Sequence, residues 1–278
     1  MISPSQLSDL IDELVVRRRP RIGIGIRSAD PRLLEELAGS EEIAEIVLVG
    51  PPELEVPRDW QVFAAPKPEV RLASLLANGE IDGLLRGTLD AVKTIDAYMA
   101  TSGDSDPTCP ALIEDATGRQ FFFSAVTNHE GFTREQRLHE ARLTAAFMRR
   151  LEIEPRVAVY AAVRHGTVAA LEGQADPLSR LLAATYEDAE WLVGALHSDG
   201  LDATNMTIEL NVAIEKGYDL HVPVSGIIGN QVGRAFMASG GKMLAAPRIG
   251  LSKPYEDNSR TEGSLEHHVR WLTALINM

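Results

Sequence analysis

The residues best suited to chemistry lie between Pro247 and Leu265, in the stretch PRIGLSKPYEDNSRTEGSL. Ser259 and Arg260 are adjacent there and offer a hydroxyl and a guanidinium, the donor types that best hold a phosphate or a carboxylate. Ser264, followed by Glu266 and His267, reads as the opening of a terminal helix, whose unpaired amides and positive dipole end favour the same kind of ligand. The partner this pattern suits is a small anionic or phosphate-bearing molecule. An N-cap at Ser264 and a surface ion pair at Arg260 explain the same residues without any ligand, and spacing alone does not choose between the two.

The elements that must position this loop alternate between strand and helix along the whole chain. Ser3, Pro4 and Gln6 cap a first helix whose apolar face is Leu7, Leu10, Ile11, Leu14 and Val15. Its basic end, Arg17 to Arg19, suits a helix C-terminus. RIGIGI, IAEIVLVG, a weaker strand at 61–64 and a helix at 68–77 follow with short links, which implies parallel pairing and a sheet covered on both faces. The glycines of IGIGI fall inside the strand, and Ser28 stands where a dinucleotide fingerprint needs its third glycine, so a nicotinamide site is rejected. ALIED and RQFFFSAVT read as a hairpin through Thr117 and Gly118, and three successive phenylalanines imply that both faces of that strand are covered.

Several loops after strands carry polar residues. His129 and Glu130 are adjacent on a strand-to-helix loop, a weak signal read as a polar crossover with a site role as the minority reading. No second histidine at metal-ligand spacing accompanies them, and no metal is expected. Arg164 and His165 follow a buried strand and are candidates to face a ligand. In SGIIGNQVGRAF the glycines and Asn230 stand at the first turn of a helix, where amides can cradle an anion and close packing explains glycine equally well.

Composition narrows the partners. The 278 residues hold 27 Lys plus Arg against 40 Asp plus Glu, a formal charge of -13, which argues against nucleic acid. No apolar run approaches the ~18 residues that span a bilayer, and the N-terminal stretch reads as a capped helix, so a cytoplasmic protein without membrane attachment is expected. Cys109 is the single cysteine, read as a buried thiol.

The sequence GLSKPYEDNSRTEGSLEHHVRWLTAL resembles the tail of the phosphate acetyl and butyryl transferases, in the order GL-KP, an SR pair, a serine and a terminal amphipathic helix. The likeness extends through GIIGNQVGRAF and ASGGKMLAAPRIG, and a second block, LHEARLTAAFMRRLEIEPRVAVYAAVRHGT, is similar to the same family. Within it, EKGYDLHVPVSGIIGNQVGRAFMASGGKMLAAP looks most like the methanogenesis-marker proteins labelled methyltransferase subunit X. The resemblance implies a two-lobed, doubly wound α/β fold akin to phosphotransacetylase and to isocitrate and isopropylmalate dehydrogenases. Residues 1–133 with 249–278 form one expected lobe and 134–248 the other.

The resemblance also implies a site: Ser259 and Arg260 on the phosphate, with Arg86, Thr88 and Asn230 lining the pocket and Arg164 and His165 near it. Two departures stand out. The arginine that follows the paired threonines in the transferases has no clear counterpart beyond Lys93, and the place of their terminal-helix aspartate falls on His267. Efficient phosphate acetyltransferase activity is therefore not expected, with His267 the candidate proton acceptor of any altered reaction. The expected role is phosphate-ligand binding linked to acyl or methyl transfer in methanogenesis. The alternative is a non-catalytic docking or sensing subunit with methyltransferase subunits as partners. A homodimer is the candidate assembly, and no cofactor is named by these residues.

Overall fold

The computed structural model describes residues 2–174, 176–258 and 265–278. From the N-terminus the chain runs α1 (Pro4–Arg17), β1 (Arg21–Gly25), α2 (Pro31–Gly39), β2 (Glu45–Gly50), β3 (Gln61–Ala64), α3 (Pro68–Ala77), β4 (Gly83–Leu85) and α4 (Ala91–Ser102). It continues through β5 (Ala111–Glu114), β6 (Gln120–Phe123), α5 (Arg134–Arg150), β7 (Arg156–Tyr160), α6 (Val168–Glu172), α7 (Pro177–Ser198), β8 (Asp202–Thr207) and α8 (Leu210–Glu215). The last elements are β9 (Leu220–Val222), α9 (Gly226–Ala238), β10 (Lys242–Ala245), β11 (Tyr255–Glu256) and α10 (Glu266–Asn277). Two compact units result, one from 8–107 with 244–278 and the other from 2–7 with 108–243. The sequence reading placed the first boundary at 133, after the β5–β6 hairpin. In the structure β6 hydrogen-bonds to β9, so the hairpin belongs to the second sheet.

The first unit is a parallel sheet in the order β11-β4-β1-β2-β3. Alternation along the strands feeds two cores. Ile22, Ile24, Ile46, Leu48 and Leu85 face α2 and α10 through Leu34, Leu37, Val269 and Leu272. Val47, Val49, Leu84 and Tyr255 face α3 and α4 through Leu72, Leu75, Leu76 and Tyr98. The glycine side of IGIGI is filled from above, since side chains of Ile81 and Leu72 press on Gly23 and Leu89 presses on Gly25. Helices thus cover both faces, as near-continuous apolar strands require.

The second sheet has the order β10-β5-β6-β9-β7-β8, with β5 and β6 antiparallel and β6, β9, β7 and β8 mutually parallel. Phe121 packs edge-on against Phe236 of α9 at 5.3 Å between ring centroids, and Phe122 against Phe147 of α5 at 6.0 Å, so the phenylalanine run serves both faces. α5 opens with a reciprocal capping box between Thr133 and Gln136.

His221 of β9 is fully buried, its ring stacked on Phe123 and Tyr160. Its Nδ1 lies 2.6 Å from the Tyr160 hydroxyl. Burial raises the phenol far above its ordinary range, so Tyr160 donates and Nδ1 accepts. Burial also lowers the His221 pKa from 6.5 to about 3. A depressed folded-state pKa means that this stability is complete above pH 6.5 and is lost as the pH falls through 3. His221→Phe is expected to flatten the fall of unfolding free energy in urea over that window. At neutral pH it should cost about 1–3 kcal/mol, because the Tyr160 hydroxyl loses its acceptor. Adding Tyr160→Phe should recover part of that loss.

Candidate functional site

In the first sheet the chain moves from β1 outward to β2 and β3, then returns to lay β4 on the other side of β1. At such a reversal the connections diverge and leave a crevice at the strands' carboxyl ends, the usual ligand position in sheets of this kind. Here the loop after β4 is drawn against the end of β1. Thr88 N donates to Gly25 O at 2.9 Å, and Arg27 N donates to Thr88 Oγ1 at 2.8 Å. Gly87 has φ +60°, and a Cβ there would lie 2.2 Å from Gly25 O, so this approach requires glycine. Arg27 is exposed, with its guanidinium 3.8 Å from Asp90, which N-caps α4 by accepting from Lys93 N at 3.1 Å.

β11 adds a third carboxyl end beside β4. The sequence reading treated 247–265 as a polar loop, but Tyr255, Glu256, Asp257 and Asn258 are buried. The physical reason is the open edge of β4: Leu84 N and Arg86 N find their acceptors in Pro254 O and Glu256 O. Glu256 accepts from Ala246 N at 2.6 Å and pairs with His268 Nδ1 at 2.8 Å. Burial, with the adjacent charge of Asp257, raises the Glu256 carboxyl above its ordinary range, and His268 offsets this in part.

Asp257 is gripped from two sides. Arg86 Nε donates to Oδ1, and Arg248 Nη2 donates to Oδ2 at 2.9 Å. Burial opposes ionisation of this carboxyl, yet the charges of Arg248 and Arg86 outweigh it and hold the pKa below the ordinary value. Arg86 is 2% exposed and also donates to Gly87 O at 2.9 Å, to Leu89 O at 2.8 Å and to Asn258 O. Asp257 is thus clamped between two guanidiniums.

The expected site residues separate accordingly. Ser259 and Arg260 lie outside the described residues, directly after Asn258 in sequence. Arg86 was expected to line the pocket, but its guanidinium is taken up by Asp257 and three carbonyls, and it fixes the loops instead. Thr88 stands at the strand ends as described. Asn230, Arg164 and His165 belong to the other unit. Asn230 donates to Val126 O at 2.8 Å and accepts from Arg234 at 2.9 Å, Arg164 bonds Glu209 at 2.7 Å, and His165 meets the Tyr186 hydroxyl at 3.0 Å. Close packing accounts for the glycines of that segment, since a Cβ on Gly226 would lie 2.1 Å from Thr127 O. His129 is exposed, whereas Glu130 is buried and accepts from Cys109 N at 2.9 Å. His267 lies on the exposed face of α10, and its neighbour His268 is the one turned inward to β11.

Sequence reasoning missed the roles of Arg27, Arg248, Asp257 and His268. The available signal for the Arg248–Asp257 pair was the tight return implied by Pro247, Gly250 and Pro254. Among the described residues no group of three or more His, Cys, Asp or Glu side chains could hold a metal ion, and no helix is long and apolar enough to cross a membrane.

No protein-family model matches the chain. A protein of Methanosarcina barkeri named "Putative methyltransferase mtx subunit X" is 30% identical over 266 residues, covering 94% of this chain and 94% of its own length. Its namesake in Methanosarcina acetivorans is 30% identical over 276 residues, covering 97% and 95%. The chain belongs to the methyltransferase mtx subunit X family. The fold is that of a branched-chain phosphotransacylase from Enterococcus faecalis V583, with a TM-score of 0.70 at 14% identity over 92% of this chain and 99% of that one. It is also that of a phosphotransacetylase from Streptococcus pyogenes, with a TM-score of 0.67 at 16% identity over 99% and 98%. The chain therefore carries the phosphotransacetylase fold that its tail resembled.

Arg86→Ala in this family member should destabilise the fold by about 3–5 kcal/mol, because it removes one partner of a buried ion pair and strips donors from three carbonyls. Arg86→Lys should recover little, since an ammonium cannot reproduce the planar fork. Urea unfolding of both variants is the measurement.

Proposed function

We propose that the chain binds a phosphate-bearing small molecule at the carboxyl ends of β1, β4 and β11 and serves acyl or methyl transfer in a methyltransferase system. The observation that carries this reading is the Arg86–Asp257–Arg248 cluster, which brings two guanidiniums to the strand ends beside a reversal, two residues before Ser259 in sequence. Preorganised positive charge at reduced dielectric is what an oxyanion needs. In this reading Ser259 and Arg260 hold the phosphate, Thr88 and Arg27 border it, and Arg86 and Arg248 hold Asp257 and so the backbone that leads into the pair.

A second reading is a subunit that binds its ligand without turning it over and docks other methyltransferase subunits. Two observations favour it: the relatives carry a subunit's name, and His267, the one candidate base, lies on the exposed side of α10 with no recorded partner among the described residues.

A thermal-shift screen of acyl phosphates, coenzyme A, coenzyme M and pterin derivatives tests binding. A ligand at one hundred times its dissociation constant adds about 2.7 kcal/mol. Arg260→Ala is expected to weaken the best ligand by about tenfold or more through loss of a charge-assisted contact, with folding intact. Unchanged affinity removes Arg260 from the site. Acetyl phosphate with coenzyme A should give no turnover in the ordinary enzymatic range of ~1–10³ per second. Turnover that His267→Ala abolishes would reject the non-catalytic reading.

A further inference from the structure

The second sheet has a reversal of its own, where β9 lies on the opposite side of β7 from β8. Beside it lies a buried cation with no close ion pair among the described residues. Arg137 of α5 is 3% exposed. Its Nη2 donates to the carbonyl of Tyr160, the last residue of β7, at 2.7 Å. Its Nε is buried without a hydrogen-bond partner, and the guanidinium forms no salt bridge with any described residue. Burial lowers its pKa to about 10, so the group stays charged at neutral pH.

One turn further on the same face of α5 stands Glu140, 5% exposed. Its Oε1 accepts from Gly131 N at 2.7 Å, while Oε2 is buried without a partner among the described residues. Burial, with the charge of Glu130, pushes this carboxyl up to about 8. Near neutral pH the acid form predominates and supplies an O–H donor, although the charge of Arg137 works in the opposite direction. Gly131 in turn sits at the N-terminus of α9. A Cβ built on it would lie 3.1 Å from Gly226 N and 3.4 Å from Glu140 Oε2. Of the acids nearby, Glu130 accepts from Cys109 N, and Asp188 lies 4.0 Å from Arg134 while its charge also acts on Arg137 without forming a close pair with it. Phe132, Ile227 and Ile228, which follow the two glycines in sequence, are exposed and give the region an apolar border.

We propose that Arg137 and Glu140, beside the N-terminus of α9, form a binding site for a small oxyanion, a phosphate or carboxylate group, within the 108–243 unit. A buried guanidinium, an acid O–H and the positive end of a helix of 13 residues are the three kinds of group that receive such an anion. The site stands on residues other than those of the proposed function and does not depend on that reading.

Arginine-selective ¹⁵N labelling of the full chain isolates the Arg137 Nε–H resonance, assigned through its absence in Arg137→Lys or, if that variant does not fold, by through-bond experiments on the unaltered protein. Titration with inorganic phosphate, and separately with acetate, is expected to shift this resonance saturably, and Arg260→Ala should leave the shift in place. Saturation by phosphate alone makes the site a phosphate site, and by acetate alone a carboxylate site. Glu140→Leu should weaken the binding about tenfold, the loss of one strong hydrogen bond. A resonance that responds to neither anion beyond a sodium chloride control shows that water alone fills the gap and overturns the proposal. A response that vanishes in Arg260→Ala overturns it as well, because the anion then binds only at the other site.

Discussion

The first unit depends on one carboxylate. Asp257 stands at the end of a strand only two residues long, too short to hold a sheet edge by its own ladder, and the two guanidiniums that close on it fix what backbone pairing cannot. Arg86 arrives from the end of β4 and Arg248 from the segment that precedes β11, so one side chain joins the ends of two neighbouring strands to the chain's own return. Removing charges from water is costly, and such a cluster is favourable only when its geometry and remaining hydrogen bonds are good. Here Arg86 makes three carbonyl contacts besides the ion pair, and Asp257 Oδ1 also accepts from Asn258 N at 2.8 Å.

The same arrangement connects stability to chemistry. The two guanidiniums that hold Asp257 lie at the carboxyl ends of parallel strands, where ligands enter this class of sheet. A residue that looks like a ligand contact in sequence can thus be the support of the contact, as Arg86 is. Glu256 and His268 extend that support toward α10, whose first turn is tied to α2 through Leu265 N and Glu36 at 3.1 Å.

Much of the architecture was legible because its signals are local. The capping box at Thr133 and Gln136, the Asp-Pro start of α7 and the apolar runs of β1, β2 and β6 each specify an element within a few residues. The chemistry of the tail was legible only as a resemblance, since Ser259 and Arg260 have no periodic context. β11 was not legible: YEDN has the composition of a loop, and only the unpaired edge of β4 and the distant partners of its acids explain its burial. The first boundary was misplaced for a related reason, as the hairpin through Thr117 pairs with β9, which lies far along the chain. His267 and His268 show the limit at its sharpest, since adjacent histidines on a helix point to different sides and the sequence does not say which one faces the strand.

The pairing of β11 with β4 also has a consequence in time. Arg86 and Asp257 are separated by 171 positions, and the entire 108–243 segment lies between the two pieces of the first unit. As the chain is made, residues 8–107 emerge with the β4 edge unpaired and the α10 side of their core bare. The continuous unit can close while that edge still waits. An open parallel edge beside uncovered apolar surface is the kind of intermediate that aggregates or recruits chaperones, and long-range closure makes it slow to disappear. β11 and α10 therefore finish a sheet whose other strands are made earlier, and the exposure to misassembly ends only when they arrive.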